Sequence, residues 1–419
     1  MQRILPVSLL LIFCGVLIST PASSEGPTPG FNTLIPESIL TPDSVETSIG
    51  TLNFFDGFPD EETVSKVYDN LDRTRATQAF LDMVPLASIE GLRRGMESVG
   101  VDASHKILLY NDLMDSNSLF LTGNTDTIYA LGMLDLQRDG ATVVEIPSGA
   151  GPGTVNDAYF RFVIDMGAPG PDRGKGGKYL ILPPGYEGAV PEGYFSVESP
   201  TYVNWLPLRG FLKDGKTDAA VDMWTKGLKI YPLSKKDNPP ELEVINGTGI
   251  IMNTVHANDE TFFEEIAEVI QREPLGFLDD ELRGNLASIG IEKGKEFAPD
   301  ARMRAILKDG VAIANATARA LAFRPRSETI YIYGHESAWF TAFDGGSYQW
   351  LLNDGNGGRN RDARTVFFYI ATVNTPAMVL QMIGAGSQYA LATLDSKGRY
   401  LDGAKDYKIT IPGDVPAKD

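Results

Sequence analysis

A group of hydrogen-bonding side chains stands immediately before an apolar segment in the stretch NTDTIYALGMLDL, which extends from Asn124 to Leu136. Asn124, Asp126 and Thr127 lie at the start of what the apolar run predicts to be a β-strand. Burying a carboxylate without a partner is costly, so Asp126 needs a partner unless it lies in water. Two interpretations stay open: Asp126 accepts backbone N–H groups and closes a turn, or it lies in a pocket that binds a polar ligand.

A second candidate strand, DAYFRFVIDM, contributes polar side chains that we expect near this block. Its alternation puts Phe160, Phe162 and Ile164 on the core face, so the residues between them face the other way. An ion pair between Arg161 and a carboxylate on that polar face would be bidentate and strong where it is partly buried. The other expected members of this polar cluster are Asp135, Tyr159 and Asp165.

These residues divide into two groups by the chemistry that their side chains offer. The candidate catalytic residues are Asp126, Tyr129, Arg161 and Asp165. The candidate binding residues are Asn124, Thr127, Tyr159 and His335. Either aspartate would act as an acid–base group or as an anchor for the ligand, while Tyr129 and Arg161 would orient the ligand. The alternative is that the cluster pins the edge of a sheet.

Histidine chemistry is limited because the chain has only three histidines, each in a different segment. His335 lies among aromatic and polar residues after a predicted strand, so it is the best single candidate for acid–base work. A metal site of three histidines would require His105 and His256 to converge on it. The sequence therefore predicts no metal site, and it identifies no cofactor.

Several large enzyme classes lack motif support in this sequence. We find no G-x-S-x-G elbow, no S-x-x-K, no phosphate-binding loop and no dinucleotide fingerprint. The loop NDGNGGRNRDAR has oxygen donors on a glycine-rich turn. Counted from Asp354, however, the twelfth position is Thr365, where a calcium-binding loop needs glutamate. A solvated loop is the favoured interpretation of this segment.

The N-terminus and the composition indicate export. Residues 1–24 combine Arg3, an apolar run and small residues at the spacing of a cleavable signal peptide, which predicts a periplasmic or secreted protein without stable membrane insertion after cleavage. The only cysteine, Cys14, falls in that segment, so disulfides and thiolate chemistry are excluded from the mature chain. The net charge of −18 argues against binding to nucleic acid or to anionic lipid.

Hydrophobic periodicity predicts a multidomain, mainly β protein with helical segments. Helical patterns precede and follow a group of short strand patterns, and strand patterns return after Arg324. The first helix is predicted to be capped by Asp60 and broken at Pro85, with a second short helix from Ile89 to Val99. The stretch NDETFFEEIAEVIQREP predicts a helix with an apolar stripe, and the alanines of PDARMRAILKDGVAIANATARALAF predict close helix packing. Near the C-terminus, TVFFYIATV predicts a strand and LDSKGRYLDG a hairpin. The predicted segments are the signal peptide at 1–24, a flexible lead-in at 25–50, an N-terminal helical segment at 51–117, a first β-sandwich at 118–215, a helical segment at 216–325, and a second β-sandwich at 326–419.

Two blocks of the sequence are specific enough to show a family resemblance: N-x-D-T-x-Y at Asn124 and the later GGKYLILPPGY. Together with VVEIP and LASIGIEKGKEFAPD, they make the chain similar to bacterial proteins with paired domains of unknown function numbered 1254 and 1214. This resemblance implies an immunoglobulin-like sandwich, a small helical domain and a jelly-roll-like sandwich. It implies no reaction. It maps the family's polar positions to Asn124, Asp126, Thr127 and Tyr129, and the family's later strand aspartates to Asp135 and Asp165.

The resemblance also implies an incomplete second sandwich, because the family continues beyond the segment that ends this sequence, IPGDVPAKD. We therefore expect an exposed sheet edge that a second copy or a partner chain would complete. The favoured function is a non-catalytic binding or envelope protein with a pocket in the first β-domain for a small-molecule or oligomeric ligand. The alternative is an exported, hydrolase-like enzyme that uses the carboxylates of Asp126 and Asp165.

Overall fold

A computed structural model describes residues 33–334, 337–370, 373–379 and 389–411 of the protein. The predicted signal peptide and His335 lie outside the described residues. The chain divides into two compact units, Met1–Val67 and Tyr68–Asp419.

The first unit contains a small antiparallel sheet and the first turns of a long helix. Its strands are β1 (Ser44–Thr47), β2 (Gly50–Phe55) and β3 (Phe58–Pro59). Helix α1 (Glu61–Ser98) follows, and the carboxylate of Asp60 accepts the Thr63 N–H at 2.7 Å. The predicted helix cap at Asp60 is therefore confirmed, and this backbone hydrogen bond lowers the pKa of Asp60.

Helix α1 continues through Pro85, where the sequence predicts a break and a second short helix from Ile89 to Val99. The predicted break is wrong, whereas the helical conformation predicted from Ile89 onwards is confirmed as far as Ser98. An interior proline costs roughly 3 kcal/mol because it removes one backbone hydrogen bond. Val84 and Leu86, on either side of it, are completely buried, so core packing around this turn offsets the lost bond.

Close packing of α1 against the chain segment at residues 253–256 depends on a helical glycine. A Cβ added at Gly91 would lie 2.6 Å from the Thr254 carbonyl oxygen and 2.9 Å from the His256 nitrogen. Both are backbone atoms, so no side-chain rotation can relieve the clash.

We therefore expect Gly91→Ala to destabilise the protein by about 1–3 kcal/mol, as overpacking does elsewhere. The matched control is Gly284→Ala, because Gly284 lies in a helix with open space around it. The control should gain up to about 1 kcal/mol from helix propensity. Urea unfolding of both variants measures the difference, and equal midpoints would contradict the close approach.

The second unit contains two mixed sheets. The six-stranded sheet has the order β13-β4-β5-β11-β7-β8, and the four-stranded sheet has the order β10-β9-β6-β12. The strands of the six-stranded sheet are β4 (Lys106–Leu109), β5 (Thr127–Asp135), β7 (Pro152–Asp157), β8 (Phe162–Gly167), β11 (Val203–Phe211) and β13 (Glu243–Asn246). Those of the four-stranded sheet are β6 (Thr142–Ile146), β9 (Gly177–Leu182), β10 (Phe195–Glu198) and β12 (Lys229–Pro232).

Most neighbouring strands are antiparallel, but β13 pairs with β4 and β10 pairs with β9 in parallel. Neither sheet closes into a barrel within the described residues. The expected mixture of β-sheets and helices is confirmed, whereas the immunoglobulin-like and jelly-roll-like topologies are not.

The remaining helices lie mostly on one side of the six-stranded sheet. They are α2 (Leu136–Asp139), α3 (Asp218–Gly227), α4 (Thr261–Arg272), α5 (Asp280–Ser288), α6 (Ala301–Phe323), α7 (Arg361–Phe368) and α8 (Pro376–Val379). The predicted apolar stripe of α4 is buried, including Phe262 and Phe263. The close helix packing predicted from the alanines of α6 also occurs, since Gly310 approaches Ala76 of α1.

Strand β5 is the centre of the fold because both of its faces are covered. Ile128 and Ala130 belong to a core shared with the four-stranded sheet, while Leu131 and Met133 belong to a core shared with α1 and α4. A strand buried on both faces needs apolar residues at successive positions, which explains the unbroken run after Thr127. Described helices of the protein include none that is both long and apolar enough to cross a membrane.

The C-terminal part of the chain differs most from expectation. Among the described residues from 326 onwards the strand pairing is limited to isolated bridges, such as Tyr331 with Phe340 and Phe340 with Leu391. The run TVFFYIATV was predicted to be a strand, yet Arg361–Phe368 is helical. Asn360 caps this helix by accepting the Ala363 N–H, and a short apolar run cannot by itself distinguish helix from strand.

A predicted hairpin in LDSKGRYLDG is confirmed. Leu394 bridges to Tyr400, Gly398 has a φ of 70°, and the Asp395 carboxylate accepts the N–H groups of Lys397 and Arg399. The left-handed turn position explains the glycine.

Candidate functional site

The block N-x-D-T-x-Y forms a turn that its own side chains close. The Asn124 amide oxygen accepts the N–H of Thr127 at 3.1 Å and the hydroxyl of Thr127 at 2.7 Å. The N–H of Asn124 donates to the Tyr129 hydroxyl at 3.0 Å. The turn-closing role that the sequence left open for Asp126 therefore belongs to Asn124.

Asp126 is exposed, and within the described part of the chain its carboxylate makes no hydrogen bond or ion pair. Its backbone N–H lies 3.3 Å from the Asn124 amide oxygen, so the turn fixes its position. Tyr129 is buried, and burial raises the pKa of its hydroxyl. The turn thus presents a carboxylate to the solvent while a neutral phenol lies beneath it.

Four adjacent strands bring polar side chains onto one face of the six-stranded sheet. Tyr129 on β5 is the register partner of Arg209 on β11, and Thr154 on β7 is the partner of Asp165 on β8. Strand β11 also pairs with β7, and its register with that strand places Arg209 and Thr154 on the same face.

The carboxylate of Asp165 is half-buried, and in the described part of the chain its partners are hydrogen-bond donors and not cations. The Thr375 hydroxyl lies 2.7 and 2.8 Å from its two carboxylate oxygens. Burial raises the pKa of Asp165, and the hydrogen bonds from Thr375 and Thr154 oppose that rise only in part.

These side chains line a cavity of about 920 Å³. One wall, called the polar wall, belongs to the sheet and carries the polar groups of Asp126, Tyr129, Thr154, Asp165 and Arg209 beside the apolar side chains of Pro152, Pro207 and Phe211. The opposite wall is mostly apolar and consists of Ala342, Phe343, Phe367, Ile370, Val373, Thr375, Ala377, Met378, Tyr389 and Leu391. The volume is in the range of small-molecule sites.

Arg161 and Tyr159, which the sequence grouped with Asp165, do not line this cavity. The strand pattern is interrupted, since β7 ends at Asp157 and β8 begins at Phe162. Arg161 pairs with the buried Asp157 at 2.5 Å and stacks on Tyr159. Both side chains therefore hold the β7–β8 turn in place.

Tyr159 is also anchored to α1, because its hydroxyl donates to the Asp82 carbonyl oxygen at 2.7 Å. Asp135 lies at the other end of β5 and caps α2 by accepting the Arg138 N–H. His256 is buried against Phe80 and Phe262, and burial lowers its pKa. In the described residues no group of three or more histidine, cysteine, aspartate or glutamate side chains could hold a metal ion.

The sequence did not indicate Thr154, Arg209 or Thr375 as residues of this cavity. Arg209 sits in an apolar strand that reads as core, and only its pairing with Tyr129 shows that it faces the cavity. Thr375 is 210 residues from Asp165 in the chain, so no local pattern indicates their contact. An isolated arginine within an apolar strand was the one available signal.

Comparison with known proteins finds a family whose sequence model matches part of the chain, but it indicates no activity. The sequence model of the family described as protein of unknown function (DUF1254) matches residues 106–232. This range begins with β4 and ends with β12, so it covers most strands of both sheets. No curated protein matches the chain.

A similar solved structure is the crystal structure of the VPA0106 protein from Vibrio parahaemolyticus. It is 17% identical, the superposition covers 80% of this chain and 74% of that chain, and the TM-score is 0.49.

Proposed function

We propose that the protein is an exported binding protein whose ligand is a small amphiphile held in the cavity on the six-stranded sheet. The observation that carries this proposal is the division of the cavity into a polar wall from four strands and an apolar wall from the C-terminal part of the chain. Sites of this type hold a ligand by apolar contact and fix its orientation with a few polar groups.

The polar wall favours a ligand head that is neutral and both donates and accepts hydrogen bonds. The guanidinium of Arg209 is a donor, and in the described part of the chain it has no ion pair. The carboxylates of Asp126 and Asp165 are acceptors when ionised. A hydroxyl group satisfies both kinds of partner, whereas a charged head would be repelled by one of them.

A displacement assay with ligands of one chain length tests this proposal. The fluorescence of bound N-phenyl-1-naphthylamine would report occupancy, and 1-decanol, decanoate and decylamine would compete for the cavity. We expect 1-decanol to compete best. Arg209→Met should weaken 1-decanol about tenfold or more, because a hydrogen bond to a charged group contributes about 1.5–3 kcal/mol.

Arg304→Met is the matched control, since Arg304 is exposed on α6 and does not line the cavity. It should leave the competition unchanged. Binding of the naphthylamine that none of the three amphiphiles displaces, or equal effects of the two substitutions, would refute the proposed site.

A second candidate function is hydrolysis, and the raised pKa of Asp165 is the observation that favours it. A carboxyl that holds its proton more strongly than usual can serve as a general acid, with Tyr129 and Arg209 nearby on the same face. Release of nitrophenolate from p-nitrophenyl decanoate that disappears in Asp165→Asn, while naphthylamine binding persists, would support an enzyme. Equal release by both proteins would support binding alone.

We also propose that the chain is a member of the family with paired domains 1254 and 1214, exported to the periplasm or secreted. The match over residues 106–232 supports the first domain. For the second domain the support is limited to the bridges that join Phe340 to Tyr331 and Leu391. The apolar N-terminal run followed by small residues supports export.

A further inference from the structure

A separate, arginine-rich cavity of about 530 Å³ lies at the opposite end of α7 from the amphiphile cavity. Three elements form it: α1 contributes Gln78 and Asp82, the end of α6 and the residues after it contribute Arg324 and Arg326, and the first turn of α7 contributes Arg361, Asp362 and Arg364.

The charges lining this cavity do not balance. Four arginines face two aspartates, which leaves two net positive charges in a chain whose net charge is −18. Asp82 is already shared, since it pairs with Arg361 at 2.9 Å and with Arg364 at 2.5 Å. Asp362 pairs with Arg326 at 2.6 Å. The two carboxylates therefore cannot neutralise all the guanidinium groups around them.

Arg364 gives an independent indication that an acceptor is lacking. It is only 7% exposed, and its buried Nε has no hydrogen-bond partner within the described residues. A buried donor without an acceptor costs about 1–3 kcal/mol. Excess positive charge extends beyond the cavity, because burial and then the charges of Arg364 and Arg161 lower the pKa of Arg359.

We propose that this cavity binds a small dianion of the phosphate class. Guanidinium groups present paired N–H donors that match the oxygens of phosphate, and a dianion would balance the two excess charges. Arg361 and Arg326 would contact it from the exposed side of the cavity, and Arg364 would provide the buried donor.

Calorimetric titration of the full chain with inorganic phosphate, at an ionic strength held constant with sodium chloride, tests the site. We expect saturable binding of one phosphate per chain. Arg361→Gln and, separately, Arg326→Gln should each weaken it at least tenfold. Arg304→Gln is the control outside the cavity, and it should leave the affinity unchanged.

Two variants are needed because Arg361 also pairs with Asp82, whereas Arg326 is largely exposed and its loss should not affect folding. Absence of saturable phosphate binding would overturn the proposal, as would equal weakening by Arg304→Gln. Binding of succinate without binding of phosphate would also overturn it, because it would identify a dicarboxylate site instead. None of these three results bears on the amphiphile cavity, because binding there is measured with a different probe, N-phenyl-1-naphthylamine.

Discussion

Replacing Glu90 by glutamine should destabilise the protein by about 1.5–3 kcal/mol, because it removes a buried carboxylate that accepts hydrogen bonds from three partly exposed arginines. The side chain of Glu90 on α1 is 1% exposed. It accepts hydrogen bonds from Arg93 at 2.7 and 2.9 Å, from Arg94 at 3.1 Å and from Arg272 of α4 at 2.7 Å. The variant would remove the buried acceptor that the three arginines share, and each arginine would keep only its other carboxylate partners.

Glu97→Gln is the matched control for this substitution. Glu97 lies two turns further along α1, its side chain is 54% exposed, and it pairs with Arg93 at 2.9 Å. Removing an exposed pair of this kind costs at most about 1 kcal/mol. Urea unfolding monitored by circular dichroism measures the free energy of unfolding of both variants. A similar loss for the two would show that the buried hydrogen bonds of Glu90 stabilise the protein no more than an exposed ion pair does.

The stability lost in Glu90→Gln should depend on pH in a defined direction. Burial opposes ionisation of Glu90, but the hydrogen bonds and charges of Arg93 and Arg272 outweigh it and lower the pKa from 4.5 to about 2. A lowered pKa stabilises the folded state fully above pH 4.5, and that contribution is lost as the pH falls towards 2. The difference between the wild type and the variant should therefore be constant near neutrality and shrink below pH 4.5.

The parts of the fold that the sequence predicted are those fixed by local patterns. The turn at Asn124, the strand after Thr127 and the hairpin at Gly398 each depend on residues a few positions apart. Secondary-structure propensity and side-chain capping act over that distance, so neighbouring residues in the sequence are sufficient to predict these turns and this strand.

The rest depends on contacts between distant residues. Pro85 is tolerated in α1 because the helix is buried, and burial is set by the whole fold rather than by the neighbouring residues. Arg161 was assigned to the site because strict alternation would put it on the same face as Asp165. The pairing of β7 with β8 instead shifts register between Val155 and Asn156, and Arg161 lies in the turn before β8. The cavity itself needs an apolar wall from residues more than 90 positions beyond the last strand of the sheet, which no local pattern could pair with it.

The contact that holds this wall in place is the bond between two buried asparagines. The Asn156 side chain donates from Nδ2 to the Asn374 carbonyl oxygen at 2.6 Å and accepts the Asn374 N–H at 3.1 Å. Asn374 in turn donates to the Phe160 carbonyl oxygen at 3.1 Å, and the next residue is Thr375, which binds Asp165. One side chain therefore pairs with the backbone at the cavity wall as a neighbouring strand would.

We expect Asn156→Asp to destabilise the protein by on the order of 3 kcal/mol at neutral pH, and to abolish binding of N-phenyl-1-naphthylamine. The introduced carboxylate still accepts the Asn374 N–H, but its second oxygen faces a carbonyl oxygen in a site that is completely buried. When it is protonated, the introduced carboxyl can donate to that carbonyl again. Stability and probe binding should therefore recover in part as the pH is lowered, while the wild type shows no such gain.

Asn156→Leu separates this pairing from simple packing. Leucine has a similar size but neither donates nor accepts, so it leaves the Asn374 backbone groups unpaired at every pH. It should lose stability and probe binding without any recovery in acid. Leucine has no titratable group, so recovery in acid is expected for Asn156→Asp and not for Asn156→Leu. Parallel pH profiles would mean that the apolar wall is held by the packing of Phe343, Phe367 and Trp350 instead.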